Sequence, residues 1–389
     1  MNNNISKNKR ILIVFPLLPK YDVEFFEKFT SISEYDLHVT ANIKNKNKND
    51  LTLSDYGDYK FHVHHTDIKK IGPFDITLGL ENLVSDINPD LIIYTASPRD
   101  LGQMFSIVKN KIFGNKIAVW SMFHRIGGPR LYSTLYYKFL GFICEKNMTY
   151  TNTGKQYQIA RGVDAKKIDV IGTAIDEEKV FSAIEKSDYK MNNLKKKYNL
   201  DGKFILLQVL RLTNIKKPHF LIDMMKLLIE KDTNSMLVLI GGGTMENEIK
   251  EYVTSHGLDQ NVLFLGPIYD EIILNDWFTL ADIFVIPTCI GLSAHHACCY
   301  GLPIVTDDSL VNQASEFDIL QDRLNCLLYK EGSLSSFVDK ILELKKNKDL
   351  YNRISANALA TVKDINTLFA KANNLKKSIE NLFLISGKK

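Results

Sequence analysis

The sequence predicts an α/β protein built as two successive doubly wound units, and three observations carry that expectation. Short continuous apolar runs, of the kind that form central parallel strands, alternate with helix-period segments along the chain. The alternation begins twice, at residue 11 and again at residue 204, with a polar Lys- and Asn-rich stretch at 186–199 between the two runs. A length of 389 residues is long for one core and comfortable for two of under about 200 each. Repeated strand–helix alternation argues for parallel sheets covered on both faces, so each half reads as a Rossmann-like layer and the pair would face a cleft.

In order, the first half offers strands at 11–15, 37–40, 61–65, 90–94, 116–120, 149–151 and 168–171. Helical patterns fall at 23–29, 80–87, 101–113, 131–146 and 155–161, and the polar segment 43–50 reads as a loop. The aromatic helix at 131–146, with Arg130 just before it and Lys138 within it, fits either core packing or a membrane interface. The second half offers strands at 204–210, 236–240 and 262–265 and helices at 219–231, 245–256 and 272–280. It then reaches FVIPTCIGLSAHHACCYGLPIV at 284–305, where a strand feeds almost directly into a helix start. A final helix from about Asp364 carries Ile365, Leu368, Phe369, Ala372, Leu375, Ile379, Leu382 and Phe383 on one face, and must dock on the first half or on another copy. The expected division is therefore 1–177, 178–363 and a terminal helix at 364–389.

Composition narrows the functions. A hydrophobic content of 45% and a net charge of +4 describe an ordinary globular protein without the basic excess of a dedicated nucleic-acid binder. The five cysteines lack C-x-x-C spacing, which points away from a disulfide framework or a zinc ribbon and toward a reducing, cytoplasmic setting. The apolar run after the polar N-terminus is too short for a membrane span and lacks a small-residue cleavage site.

Ligands of a doubly wound sheet bind beyond the carboxyl ends of its strands. Three loops of the second half fall at that end: RLTNIKK at 211–217, GGGT at 241–244, and the helix start at Gly291 and Ser293. A helix start presents unpaired N–H groups and the positive end of its dipole, a natural anion site. Arg211 and Lys216 would add the guanidinium and ammonium that a diphosphate requires. GGGT lacks the spacing of a Walker loop and reads as a tight turn, with Thr244 suited to cap the next helix.

Five elements in this order, RLTNIK, GGGT, VLFLG, ADIFVIPT and GLSAHHACCYGLPIV, resemble the donor half of GT-B glycosyltransferases of family 4, also called group 1. The resemblance covers about residues 204–330; the first half resembles the acceptor domain more loosely, through ILIVFPLLPKYDVEFF and AVWSMFHRIGG. It implies a metal-independent, cofactor-free transfer of a sugar from a nucleotide-diphosphate sugar to a glycan acceptor, with retention of anomeric configuration. The PxxxGLSAxH and NQxxEF patterns resemble a bacterial surface-polysaccharide subgroup, which implies a lipid-linked glycan acceptor and possible contact with the inner membrane face. The resemblance further implies that Arg211 and Lys216 hold the diphosphate, that Gly266, Gly291, Leu292, Ser293 and Glu316 line the donor, and that His124 faces the transferred sugar. The family's two signature glutamates would stand at Thr288 and His296; neither is present, and His296 is placed to bond ribose hydroxyls instead. An inactive nucleotide-sugar-binding partner and a sugar-nucleotide epimerase are the competing readings.

Overall fold

The computed structural model describes residues 8–43, 58–95, 97–123, 126–128, 130–186 and 191–386. The expected loop at 43–50 lies, beyond Ile43, outside the described residues. The chain divides into two units, Met1–Thr173 with Leu368–Lys389, and Ala174–Thr367.

The first unit begins with β1 (Arg10–Val14), α1 (Lys20–Ile32), β2 (Asp36–Ala41), β3 (His62–His65) and the hairpin β4 (Ile68–Ile71) and β5 (Phe74–Thr77). It continues through α2 (Leu80–Ile87), β6 (Leu91–Tyr94), α3 (Leu101–Ile112), β7 (Ile117–Ser121), α4 (Leu131–Ile143), β8 (Lys146–Thr149), α5 (Asn152–Ile159) and β9 (Ile168–Val170). Seven of the strands form one sheet in the order β3-β2-β1-β6-β7-β8-β9, every pairing parallel. Chain order reverses between β1 and β6, as the doubly wound pattern requires. Ile11, Leu12, Ile13 and Val14 are fully buried, which is why β1 reads as an unbroken apolar run rather than an alternating one.

Two expectations for this unit need correction. The aromatic helix stops at Ile143, and the next strand occupies Lys146–Thr149 rather than 149–151. The sequence disguises this strand because its buried residues are polar. Lys146 Nζ meets Asp169 at 2.9 Å and the Lys166 carbonyl at 3.1 Å, and Asn147 Nδ2 donates to Gln158 Oε1 at 2.8 Å. The terminal helix runs Leu368–Ser386, after a π turn at Thr361–Ile365, instead of continuing from Asp364. Asn366 ends the turn by donating both its backbone N–H, at 3.0 Å, and its side-chain amide, at 3.1 Å, to the Thr361 carbonyl. The terminal helix buries Leu368, Ala372, Leu375, Ile379 and Leu382 and packs against α1, whereas Ile365 and Phe369, expected on the same face, are exposed. It brings Lys371 over the Phe25 ring at 4.4 Å, beside the buried Asp22.

The second unit comprises α6 (Glu177–Glu185), α7 (Met191–Lys197), β10 (Phe204–Val209), α8 (Pro218–Lys231), β11 (Ser235–Ile240), α9 (Glu246–Ser255) and β12 (Val262–Gly266). Beyond these lie α10 (Glu271–Leu280), β13 (Ile283–Val285), α11 (Ser293–Cys299), β14 (Ile304–Asp307), β15 (Cys326–Tyr329), α12 (Leu334–Lys346) and α13 (Lys348–Ala360). The strand order is β12-β11-β10-β13-β14-β15, all parallel, so chain order reverses between β10 and β13. One core face gathers Leu207, Val238, Phe284 and Ile304 beneath α10 and α11, and the other gathers Leu206, Leu237, Val285 and Val305 beneath α8 and α12. Alternate residues of the same strands thus serve opposite faces.

Candidate active site

At the reversal between β10 and β13 two loops emerge side by side from the carboxyl ends of adjacent strands, the place where doubly wound sheets receive ligands. Residues 210–217 leave β10, and residues 286–292 leave β13. The structure brings two of the sequence-derived residues together here. Lys216 Nζ donates to the Cys289 carbonyl, and a Cβ built on Gly291 would meet that ammonium at 3.9 Å, the nearest contact among the described residues. Gly291 has no positive φ. Its lack of a side chain leaves open the space before the ammonium.

Cys289 itself sits at φ +52°, a left-handed conformation that costs a residue with a Cβ about 1 kcal/mol or more. That turn directs the 289 carbonyl to Lys216 and delivers residues 291–293 to the start of α11, where N–H groups lack acceptors within the helix. Burial pushes the Cys289 thiol above its usual range, Lys216 opposes the shift, and Glu316 and Asp307 add to it. Glu316, half-buried in the 3-10 turn Ser315–Ile319, therefore lies within electrostatic reach of the same loop. Arg211 is exposed at the head of the 210–217 loop.

The GGGT loop has a more specific task than turning the chain. A Cβ on Gly241 would stand 1.8 Å from the Leu210 carbonyl oxygen, and one on Gly243 would stand 2.3 Å from that of Leu212. The glycines let the loop close on residues 210–212, where Leu212 N–H donates to the Gly242 carbonyl at 2.9 Å and Met245 N–H donates to the Leu212 carbonyl at 3.2 Å. Thr244 is not the cap of α9: the cap position is Met245. Gly266, at φ +70° on the edge strand, accepts the Gly241 N–H at 2.8 Å. It holds up the GGGT loop from two strands away from the reversal point.

Sequence reasoning met Gln313 within the NQxxEF pattern but gave it no task, although it is the residue that fixes the second loop. It is buried, its Oε1 accepts the Ile290 N–H at 2.8 Å, and its Nε2 donates to Asp307 Oδ1 at 2.7 Å and Thr306 Oγ1 at 3.1 Å. Burial pushes the Asp307 carboxyl above its usual range, and the nearby Thr288 hydroxyl together with bonds from the Ser309 backbone and Gln313 holds it down. Thr288 occupies the first signature-glutamate position and is itself buried beside that carboxyl. A glutamate at 288 would set a second carboxylate against a buried one. Tyr329 completes the scaffold by donating its hydroxyl to the Pro287 carbonyl at 2.5 Å.

His296, at the second signature position, faces Glu271 from the first turn of α10, with Nε2 to Oε2 at 3.7 Å, and stacks on Phe278 at 5.9 Å. Glu271 gave no sign of this in sequence, because an acidic residue in a first helical turn is commonplace. His124 lies outside the described residues.

These two Rossmann-like units define the fold as GT-B. A structure of Anabaena Alr3699/HepE in complex with UDP superposes with a TM-score of 0.71 over 96% of this chain and 100% of that one, at 15% identity. Residues 190–361 match the family Glycosyl transferases group 1, so the second unit is a group 1 glycosyltransferase domain. Among curated relatives, the chain is 28% identical over 201 residues to the UDP-Gal:alpha-D-GlcNAc-diphosphoundecaprenol alpha-1,3-galactosyltransferase of Escherichia coli, covering 50% of this chain and 49% of that protein. It is 25% identical over 189 residues to the capsular polysaccharide biosynthesis glycosyltransferase CapM of Staphylococcus aureus, covering 46% and 47%. The chain spans about half the length of the curated relatives it matches.

Proposed function

We propose that the protein transfers a sugar from a nucleotide-diphosphate sugar to a lipid-linked glycan, with retention, in the synthesis of a bacterial surface polysaccharide. The observation that carries this reading is the Lys216 ammonium held by the Cys289 carbonyl before the open space at Gly291, at the reversal point of the second sheet. Breaking the bond between the sugar C1 and the phosphate oxygen leaves a negative charge on the departing diphosphate. Lys216, Arg211 and the N–H groups at 291–293 are the groups that would stabilise it, without a metal or a cofactor. Preorganised donors of this kind are worth about 3 kcal/mol each. The acceptor hydroxyl attacks C1 from the face the diphosphate leaves, and a departing phosphate oxygen takes its proton. His124 serves the sugar from the acceptor side, His296 and Glu271 the ribose, and Gly266 and Glu316 support the donor loops.

The lipid-linked acceptor is supported by the E. coli relative, whose name specifies a diphosphoundecaprenol substrate. It is also supported by α4, which leaves Leu131, Leu135, Phe139 and Phe142 exposed with Arg130 before it and Lys138 within it. No helix among the described residues is long and apolar enough to cross a membrane. We place α4 at the surface of the cytoplasmic leaflet, apolar face inward and basic groups toward anionic headgroups. Incubating the protein with UDP-, GDP- and dTDP-sugars and a polyprenyl-diphosphate glycan should yield one extended lipid product, lost with Arg211→Ala. No product and no donor hydrolysis with any pair would refute the reading. Burial of Thr288, which withholds one signature side chain from the donor, favours a second reading as an inactive nucleotide-sugar-binding partner. Saturable nucleotide binding without turnover would select it.

A further inference from the structure

The first sheet carries a cluster that the transfer reaction does not use. Asp36 and His38 lie two residues apart on β2 and so share a face, and His62 on the edge strand β3 is the direct neighbour of His38. His38 Nε2 stands 3.3 Å from Asp36 Oδ2, and His62 Nε2 stands 3.3 Å from Asp36 Oδ1. The two imidazoles lie alongside each other with centroids 4.7 Å apart, and one ligand atom from each of the three residues falls within a 4.8 Å group.

We propose that Asp36, His38 and His62 form a binding site for a divalent transition-metal ion of the zinc class that clamps β3 to β2. Two atoms each about 2.0–2.1 Å from a tetrahedral zinc ion stand about 3.3–3.4 Å apart, the separation found for both histidine–aspartate pairs. A direct imidazolium–carboxylate hydrogen bond would be shorter, about 2.7–2.9 Å. Among the described residues, His38 Nε2 is also buried without a hydrogen bond of acceptable geometry. On its other side, His38 Nδ1 lies 2.9 Å from His64 Nε2. With the hydrogen on Nδ1 donated to His64, His38 turns its Nε2 lone pair toward the Asp36 carboxylate, an opposition of two electron-rich atoms that a cation between them resolves. A ligating imidazole whose second nitrogen donates to an outer acceptor is the usual arrangement at metal centres.

Two imidazoles and one carboxylate select zinc, copper or nickel over calcium and magnesium, which take oxygen ligands. His62, with 64% of its side chain exposed, leaves a fourth position to water. Arg10 on β1 lies within electrostatic reach of His38 and works against a bound cation, so the Asp36 charge is indispensable. The site stands at the amino ends of β2 and β3, the opposite end of this sheet from the loops that receive ligands in doubly wound folds. Its role is accordingly to hold the edge strand in place.

The test uses the full chain without an affinity tag, stripped with EDTA and titrated with zinc against a chromophoric chelator, with cobalt absorption as a second readout. One equivalent should bind, cobalt should give a visible band, and zinc should raise the thermal midpoint. His62→Ala, safe for folding because the side chain is exposed, and Asp36→Asn should each weaken binding at least 10-fold, while His256→Ala in the second unit should not. Failure of the unmodified chain to bind one equivalent, or binding indifferent to both His62→Ala and Asp36→Asn, would overturn the proposal.

Discussion

Replacing Lys216 with alanine removes the ammonium from a fixed position, where Nζ is held by the Cys289 carbonyl. The open space at Gly291 begins 3.9 Å from that nitrogen. A unit charge at about 4 Å contributes roughly 4 kcal/mol at an effective dielectric constant near 20. Part of that attraction already exists in the bound donor, which carries diphosphate charge before the bond breaks. The share gained in the transition state is what lowers the barrier, and at about 3 kcal/mol it corresponds to a roughly 10²-fold fall in kcat. Lys216→Arg keeps the charge but alters the geometry, and should fall between the two. The assay is nucleoside-diphosphate release at saturating donor, with kcat and KM determined separately. A variant with unchanged kcat and a raised KM would show that Lys216 binds ground and transition states equally, and would refute its catalytic role.

Gly241→Ala should destabilise the second unit by about 3 kcal/mol, read as a lower urea midpoint, since its Cβ would stand 1.8 Å from a backbone oxygen at φ +131°. Glu271→Gln removes the charge facing the part-exposed His296 and should raise donor KM about 2- to 5-fold with kcat nearly unchanged, which initial-rate kinetics would show. Burial pushes the Asp22 carboxyl up to about 6, with Lys371 opposing the shift. Because the folded chain holds that proton more tightly than the unfolded chain, the stabilisation is present at low pH and is lost as pH rises through about 6. Relative to Asp22→Asn, the unmodified chain should lose about 2 kcal/mol between pH 4 and 7, measured by chemical denaturation across that range.

The central strands of both sheets were legible because they are buried on both faces and therefore continuously apolar, as Ile11–Val14 and Met236–Ile240 are. Where a strand buries polar side chains the signal failed. Lys146 reads as a helix end and Asn147 falls outside the expected strand, although partners from Asp169 and Gln158 allow them to lie inside. The hairpin β4–β5 buries only Thr77 and left no pattern. Within the site, Lys216 and Gly291 were legible through spacing because both serve one loop crossing. Gln313 was not, since its importance rests on Ile290 and Asp307 arriving from two other segments. The left-handed turn at Cys289 was likewise hidden, because nothing in a cysteine announces a positive φ.

The central claim is that the loops at Lys216 and Gly291 hold a nucleoside diphosphate. Titrating UDP, GDP and dTDP into the unmodified chain and into Arg211→Ala and Lys216→Ala, by calorimetry with thermal shift in parallel, tests it most directly. The account predicts saturable one-to-one binding of at least one nucleotide, a raised thermal midpoint, and at least 10-fold weaker binding in each variant. No binding by any of the three nucleotides, or binding unchanged in both variants, would contradict it.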